Sequence, residues 1–389
     1  QVEDSGTRLL VTVDANALYG TAQAVLEGSS LETLVVGELA GMLPTLKALG
    51  LKLFKRSAIA KPAYGKSIVR WDGMLPRSEP TPLDITPDEI ALLQYTGGTT
   101  GRPKGAMLSH GNLAANAQQV DAIDPFERDE PDIIMGALPL FHVFANTCVL
   151  NRSIVRGATI AMVPRFEAGD VLKTLSRANV TGFPGVPTMF IGLLAHPQTA
   201  EHDLTSLKMC NSGGAPLPVE VQQQYRVRSG CALREGWGMT ETTTSGTFTP
   251  RDAAPRPGSC GIPVPGTQIR ILPLDGGETE LPAGERGEVC IQGPNITAGY
   301  WKRPDATAEA MTSEGFLRTG DIGYMDEDGY VYIVDRTKDM ILCSGYNVYP
   351  RVIEEAIYEY PGVEEVSVIG VDDAYRGQAP KAFIKLKDG

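Results

Sequence analysis

Apolar positions in the first part of the chain follow two periods. Residues 9–13 form a short apolar run, the next segment puts Leu18, Ala22, Val25 and Leu26 on one helical face, and residues 34–36 make a second run. A strand, a helix and a strand in that order predict a parallel sheet covered on both sides. Between residues 50 and 87 the pattern dissolves into a basic and then Pro-rich stretch, which reads as a long surface connection. Alternation resumes at Ile90. Apolar runs at 92–95, 133–138, 158–163 and 207–210 are each followed by Gly- or Pro-punctuated loops and helical patterns.

The character changes after Gly261. Ile269 and Ile271 alternate with polar residues, Asp275-Gly276 is a hairpin signal, and residues 287–291 pair naturally beyond it. Asp328-Gly329 marks another turn before Val331 and Ile333, so this region predicts a small antiparallel barrel or sheet. A last unit begins near Lys338. Pro350 suits a first helical turn, Ile353, Ala356, Ile357 and Tyr360 share a face, and strands follow at 366–371 and 382–386. The expected class is therefore α/β: a large N-terminal domain of parallel α/β sheets with a small antiparallel β-barrel, then a small mobile α+β domain. The large domain is expected over 1–337, α/β to about residue 260 and barrel-like over 261–337, with 338–389 opening the small domain.

Composition changes this picture little. The 389 residues are 42% hydrophobic and 21% charged, and 35 basic against 47 acidic side chains leave a formal charge of −12, which argues against a nucleic-acid partner. The six cysteines never form a CxxC pair and the four histidines lack metal-ligand spacing, so reduced thiols in the cytoplasm are expected. No apolar run reaches membrane-spanning length, although a lipid-handling enzyme can still touch a membrane surface.

The chemistry is concentrated in Tyr95-Thr96-Gly97-Gly98-Thr99-Thr100-Gly101-Arg102-Pro103-Lys104-Gly105. Clustered glycines let backbone N–H groups turn inward, the threonines add hydroxyl donors and Lys104 adds charge, a combination suited to cradling phosphate. It is not a Walker loop, because Gly-Lys-Ser/Thr is absent. Further strings follow: Pro139-Leu140-Phe141-His142-Val143-Phe144, Ser212-Gly213-Gly214-Ala215-Pro216-Leu217 and Gly236-Trp237-Gly238-Met239-Thr240-Glu241. Then come Gly299-Tyr300-Trp301, Arg318-Thr319-Gly320-Asp321, and Asp335-Arg336-Thr337-Lys338-Asp339 running toward Gly345-Tyr346-Asn347-Val348-Tyr349-Pro350.

In this order, over nearly the whole chain, these strings resemble the adenylate-forming (acyl-activating) superfamily, and most closely its bacterial medium- and long-chain fatty-acyl-CoA ligases. The resemblance implies an enzyme that activates a carboxylic acid with ATP and Mg²⁺, releases pyrophosphate, and passes the acyl group from acyl-AMP to coenzyme A. It implies a phosphate loop of Thr96, Gly97, Gly98, Thr99, Thr100, Gly101 and Lys104. Thr240 falls to the α-phosphate, Glu241 to Mg²⁺, and Trp237, beside Gly238, to adenine in place of the Tyr of many relatives. Gly213, Gly214 and Ala215 implicitly admit a flat ring or acyl chain. Asp321, expected as an exposed carboxylate in a Thr-Gly-Asp turn, and Arg336 fall to the ribose, His142 to a wall between carboxylate and nucleotide, and Lys338 to the hinge of the small domain. From sequence, Lys338 reads equally as an exposed linker lysine.

Complete relatives carry a long portion before the first strand and a lysine near the C-terminus that contacts carboxylate and α-phosphate. The resemblance thus implies a fragment or a truncated homologue, slow in adenylation if it acts alone. A homodimer is common in the family. Alternatives left open are an aromatic-acid-CoA ligase, an acyl-AMP ligase serving a carrier protein, and a non-catalytic acyl- or nucleotide-binding fragment.

Overall fold

The computed structural model describes residues 1–74, 83–96, 103–123, 130–344, 346–358, 360, 362–373 and 375–387. Contacts divide the chain into a unit of residues 1–85 and a unit of residues 86–389.

The first unit is a three-stranded parallel sheet of β1 (Leu9–Val13), β2 (Thr33–Gly37) and β3 (Ile68–Arg70), in that order. Leu34, Val35 and Val36 are at most 1% exposed, as a continuous apolar run in a central parallel strand requires. After the short helix α1 (Val2–Ser5), helix α2 (Asn16–Gly28) connects β1 to β2 and buries Tyr19 and Ala22. The stretch from residue 50, expected as a surface connection, carries regular structure as far as residue 73. Helix α3 (Thr45–Phe54) enters it, and β3 adds a third strand. A three-residue strand is too short to show a period, which is why the sequence pattern hides it.

The second unit opens with an antiparallel pair, β4 (Ile90–Thr96) and β5 (Lys104–Ser109), followed by helix α4 (His110–Ile123). Lys104 therefore starts a strand. A seven-stranded sheet follows: β6 (Ile133–Gly136), β7 (Thr159–Met162), β8 (Gly182–Gly185), β9 (Met209–Ser212), β10 (Leu233–Trp237), β11 (Thr247–Phe248) and β12 (Ile262–Pro263), arranged β12-β11-β10-β9-β8-β6-β7. The five from β7 to β10 run parallel, and β11 and β12 are antiparallel additions. The core beside it holds Phe183, Phe190 and Tyr225, with successive ring centroids 5.0 Å apart.

The region read as an antiparallel barrel or sheet is a sheet of four strands. They are β13 (Gln268–Leu272), β14 (Gly287–Gln292), β15 (Leu317–Met325) and β16 (Val331–Arg336), in sequence order. Trp237 and Met239 pack against its core of Ile269, Ile271, Val289, Ile291, Leu317 and Val331. The C-terminal part forms a last antiparallel sheet from β17 (Ile341–Cys343), β18 (Tyr346–Val348), β19 (Val363–Asp373) and β20 (Gly377–Leu386), with the helix Pro350–Tyr358 packed on β19. The mixture of parallel and antiparallel sheets agrees with the expected α/β class. Among the described residues no helix is long and apolar enough to cross a membrane.

Candidate active site

Ligands of open α/β sheets bind beyond the carboxyl ends of the parallel strands. Here Gly213-Gly214 follow the end of β9 and Gly238 follows the end of β10, and a cavity of about 560 Å³ opens there. Small residues are required on this rim. A Cβ on Gly238 would lie 1.5 Å from the Thr244 carbonyl oxygen, and Gly214 has φ +79°. Gly213 is buried against the Phe144 ring, while Gly214 and Ala215 are exposed.

Beyond Gly238 the chain makes a short 3₁₀ turn, Thr240–Thr242, carrying Glu241 at 5% exposure. The Tyr300 hydroxyl donates to Glu241 Oε1 at 2.7 Å, and the Lys104 ammonium sits 5.1 Å from the centroid of the same ring. Tyr300 thus stands between the cavity's cation and its buried carboxylate. Burial, the Glu241 charge and the hydrogen bond to it push the phenol well above its ordinary pKa, so it stays a donor throughout the physiological range. Thr96 reaches the same cavity, opposite Lys104 in the β4–β5 ladder. Gly97, Gly98, Thr99, Thr100 and Gly101 lie outside the described residues.

The turn is held from below by buried amides. Asn116 of α4 donates to the Ser245 carbonyl at 2.9 Å and accepts from the Ser245 N–H at 3.0 Å. Asn295 donates to the Thr242 and Ser245 carbonyls at 3.2 and 3.0 Å, and its own carbonyl accepts from Thr243 Oγ1 at 2.6 Å. Both amides are fully buried, so every one of these bonds is costly to leave unmade. The Thr297 N–H fixes the Glu241 carbonyl at 2.8 Å.

Asp321, which lines an adjoining cavity, and Arg336, which lines both, are register partners on β15 and β16, with Nε 3.3 Å from Oδ1. The Trp237 indole N–H donates to the other carboxylate oxygen at 2.8 Å. The expectation of an exposed turn carboxylate is corrected here: Asp321 lies in a strand and is 5% exposed. Gly320, with φ +72°, places a turn signal inside β15. Burial raises the Asp321 pKa, against the lowering influence of Arg336 and the indole N–H. His142 is exposed at the cavity edge, its Nδ1 accepting from the Phe144 N–H at 3.2 Å.

A second cavity, about 730 Å³, shares Gly214, Trp237 and Arg336 with the first and reaches Lys338, Arg351 and Glu235. Lys338 is exposed. Arg351 donates through Nη1 to the Ile333 carbonyl at 2.7 Å and through its backbone N–H to Asp335 at 3.1 Å, tying the C-terminal helix to β16. Burial raises the Glu235 carboxyl to about 7 despite the nearby Arg351 charge.

The fold thus brings together Thr96, Lys104, His142, Gly213, Gly214, Trp237, Gly238, Thr240, Glu241 and Arg336 on one cavity, with Ala215, Asp321 and Lys338 at the adjoining one. The sequence reading gave no role to Tyr300, Asn116, Asn295 or Glu235. Tyr300 carried a signal, because Gly299 before it has φ +130° and no room for a Cβ beside Thr307. As for a metal, no cluster of three or more His, Cys, Asp or Glu is present among the described residues. One buried carboxylate beside a threonine hydroxyl suits Mg²⁺ that arrives with phosphates and keeps its waters, and does not suit an all-protein cation cage.

Comparison with known proteins agrees with this geometry. The AMP-binding enzyme family model matches residues 1–301, and the model of the AMP-binding enzyme C-terminal domain matches residues 352–389. A long-chain-fatty-acid–CoA ligase of Bacillus subtilis is 45% identical over 303 residues, 77% of this chain and 53% of that protein. A feruloyl-CoA synthase of Amycolatopsis is 41% identical over 312 residues, covering 80% of this chain and 62% of its own length. The crystal structure of ATP-bound MatB from Rhodopseudomonas palustris superposes with a TM-score of 0.81 at 31% identity, over 99% of this chain and 70% of that one. The chain spans about half the length of the Bacillus relative.

Proposed function

Since the chain belongs to the AMP-binding enzyme family, we propose that it is the larger part of an AMP-forming acid–thiol ligase that converts a medium- or long-chain fatty acid, ATP and coenzyme A into acyl-CoA, AMP and pyrophosphate. The observation that carries this reading is a cavity wall where Tyr300 links a cation and a buried carboxylate, joined through Trp237, Gly238 and Arg336, which line both cavities, to a second wall that Asp321 forms in the adjoining cavity. The first wall suits a polyphosphate and the second a ribose.

In the first step a carboxylate oxygen of the acid attacks the α-phosphorus of ATP, and the α–β bridging oxygen leaves with pyrophosphate. Lys104 and Thr96 hold the departing phosphates, and Thr240 donates to the α-phosphate. Glu241 with Thr240 would hold Mg²⁺, which supplies positive charge against the phosphate oxygens. Asp321 accepts from the ribose hydroxyls with Arg336 beside it, Trp237 and Gly213-Gly214-Ala215 flank the adenine, and His142 separates acid from nucleotide. Catalysis here is positioning and charge stabilisation. In the second step the coenzyme A thiol sulfur attacks the acyl carbon, losing its proton, and AMP leaves.

The division into a large domain over 1–337 and a small domain from 338 gives Lys338 the hinge between the two steps, and the separate family matches support it. The reaction belongs in the cytoplasm, where thiols such as the six free cysteines remain reduced. An aromatic acid is the second reading, favoured by the feruloyl-CoA synthase similarity and by the Phe144 ring against Gly213. A panel of fatty and aromatic acids with ATP, with and without coenzyme A, tests both. Pyrophosphate and AMP formed with a fatty acid support the first reading, the same products with aromatic acids alone support the second, and ADP or no product overturns both.

A further inference from the structure

Helix α3 is amphipathic in the wrong sense for a helix that serves a protein core. At about 100° per residue, Leu46, Leu49, Leu53 and Phe54 fall on one side, and a core-serving helix turns such a stripe inward. Here the four are 84%, 54%, 61% and 87% exposed, and no residue of the helix is buried. The half-buried Ala48 and Leu51 lie on the opposite side, so the apolar stripe points away from the unit that carries it. Met42, just before the helix, is also 60% exposed.

Charge is equally local. Residues 39–71 hold seven basic side chains (Lys47, Lys52, Lys55, Arg56, Lys61, Lys66 and Arg70) and no acidic one, in a chain whose net charge is −12. Lys47 and Lys52 stand at the two borders of the stripe, and Lys55 and Arg56 follow its C-terminal end, all exposed. Lysines edging an exposed apolar face describe a helix lying in a lipid interface, apolar side down and ammonium groups at headgroup level. Ten residues span only about 15 Å, far less than a bilayer core of about 30 Å, so the helix lies on the membrane and does not cross it. A second copy fits less well, since a two-fold interface through this face would set lysine against lysine.

We propose that α3, with Met42 and the basic residues around it, docks the protein onto anionic lipid bilayers. Binding depends on no catalytic step, so it is read apart from the activity. Purified chain is sedimented with phosphatidylcholine vesicles and with mixed phosphatidylcholine–phosphatidylglycerol vesicles, at low and high salt. Wild type is expected to bind the mixed vesicles, to bind plain phosphatidylcholine weakly, and to release in salt. The double variant Leu49→Ser/Leu53→Ser should lose binding, and Lys47→Gln/Lys52→Gln should lose about fivefold per lysine, the equivalent of about 1 kcal/mol each. All four side chains are exposed, and both variants should keep the wild-type melting temperature. Three results overturn the proposal: no binding of wild type to anionic vesicles at low salt, variants that bind like wild type, or a dimer that Leu49→Ser/Leu53→Ser dissolves. Protection of α3 from solvent labelling in a longer form of the protein without lipid also overturns it.

Discussion

Replacing Tyr300 by Phe removes one oxygen and tests the link between Glu241 and the rest of the site. The ring remains below the Lys104 ammonium, 5.1 Å from its centroid, so only the 2.7 Å hydrogen bond to Glu241 Oε1 disappears. A hydrogen bond to a charged group contributes about 1.5–3 kcal/mol, which at 1.4 kcal/mol per decade is roughly a 10- to 100-fold effect. Glu241 is 5% exposed, so little water is at hand to replace the lost donor. The carboxylate then loses its fixed orientation toward the proposed Mg²⁺ and phosphate positions. The assay is acid-dependent pyrophosphate release measured against Mg²⁺ concentration at saturating ATP. Tyr300→Phe is expected to need roughly 10- to 100-fold more Mg²⁺, or to lose that factor in kcat, while KM for the acid changes little. Unchanged Mg²⁺ dependence and kcat in a folded variant refute the reasoning. An effect confined to the acid KM does so too, since it would move Tyr300 into the acyl pocket.

Three further outcomes follow from the same geometry. Glu235→Gln should alter the pH dependence of stability. The folded carboxyl titrates near 7 against an ordinary 4.5, so its contribution is fullest below the unfolded value and is lost as pH rises through about 7, a span of about 3 kcal/mol. Urea unfolding from about pH 5 to about pH 8 should show wild type losing stability that the Gln variant keeps, and parallel profiles would contradict this. Gly238→Ala drives a Cβ against the Thr244 carbonyl, a backbone atom that cannot yield; a lowered Tm with loss of ATP binding is expected, and a wild-type Tm would contradict it. Asp321→Asn removes the charge facing Arg336 and the indole N–H, and should raise KM for ATP roughly tenfold or more with KM for the acid unchanged.

What the sequence revealed depended on how each element announces itself. β2 is a buried apolar run, and β13 and β14 alternate around a hairpin signal, so period and turn chemistry found them. β8 is Gly-Phe-Pro-Gly, which reads as a loop, yet it lies between β6 and β9 in the sheet. Its glycine is there for space: a Cβ on Gly182 would sit 2.5 Å from Ile134 Cδ1 on the neighbouring strand. Site residues followed the same logic. Lys104, Trp237, Glu241 and Asp321 stand in recognisable strings, but their couplings do not. Tyr300 is 59 positions from Glu241, and Asn116 is 129 from Ser245; only the folded chain brings them together. The burial of Asp321 was hidden because Gly320 gives a strand the local signature of a turn.

The proposed reaction joins a carboxylate to AMP in this cavity. Its most direct test is carboxylic-acid-dependent exchange of labelled pyrophosphate into ATP, by wild type and by Glu241→Gln, without coenzyme A. Exchange that requires a fatty acid and collapses in Glu241→Gln is the predicted result. Exchange that proceeds without any acid, or survives undiminished in Glu241→Gln, would contradict the account.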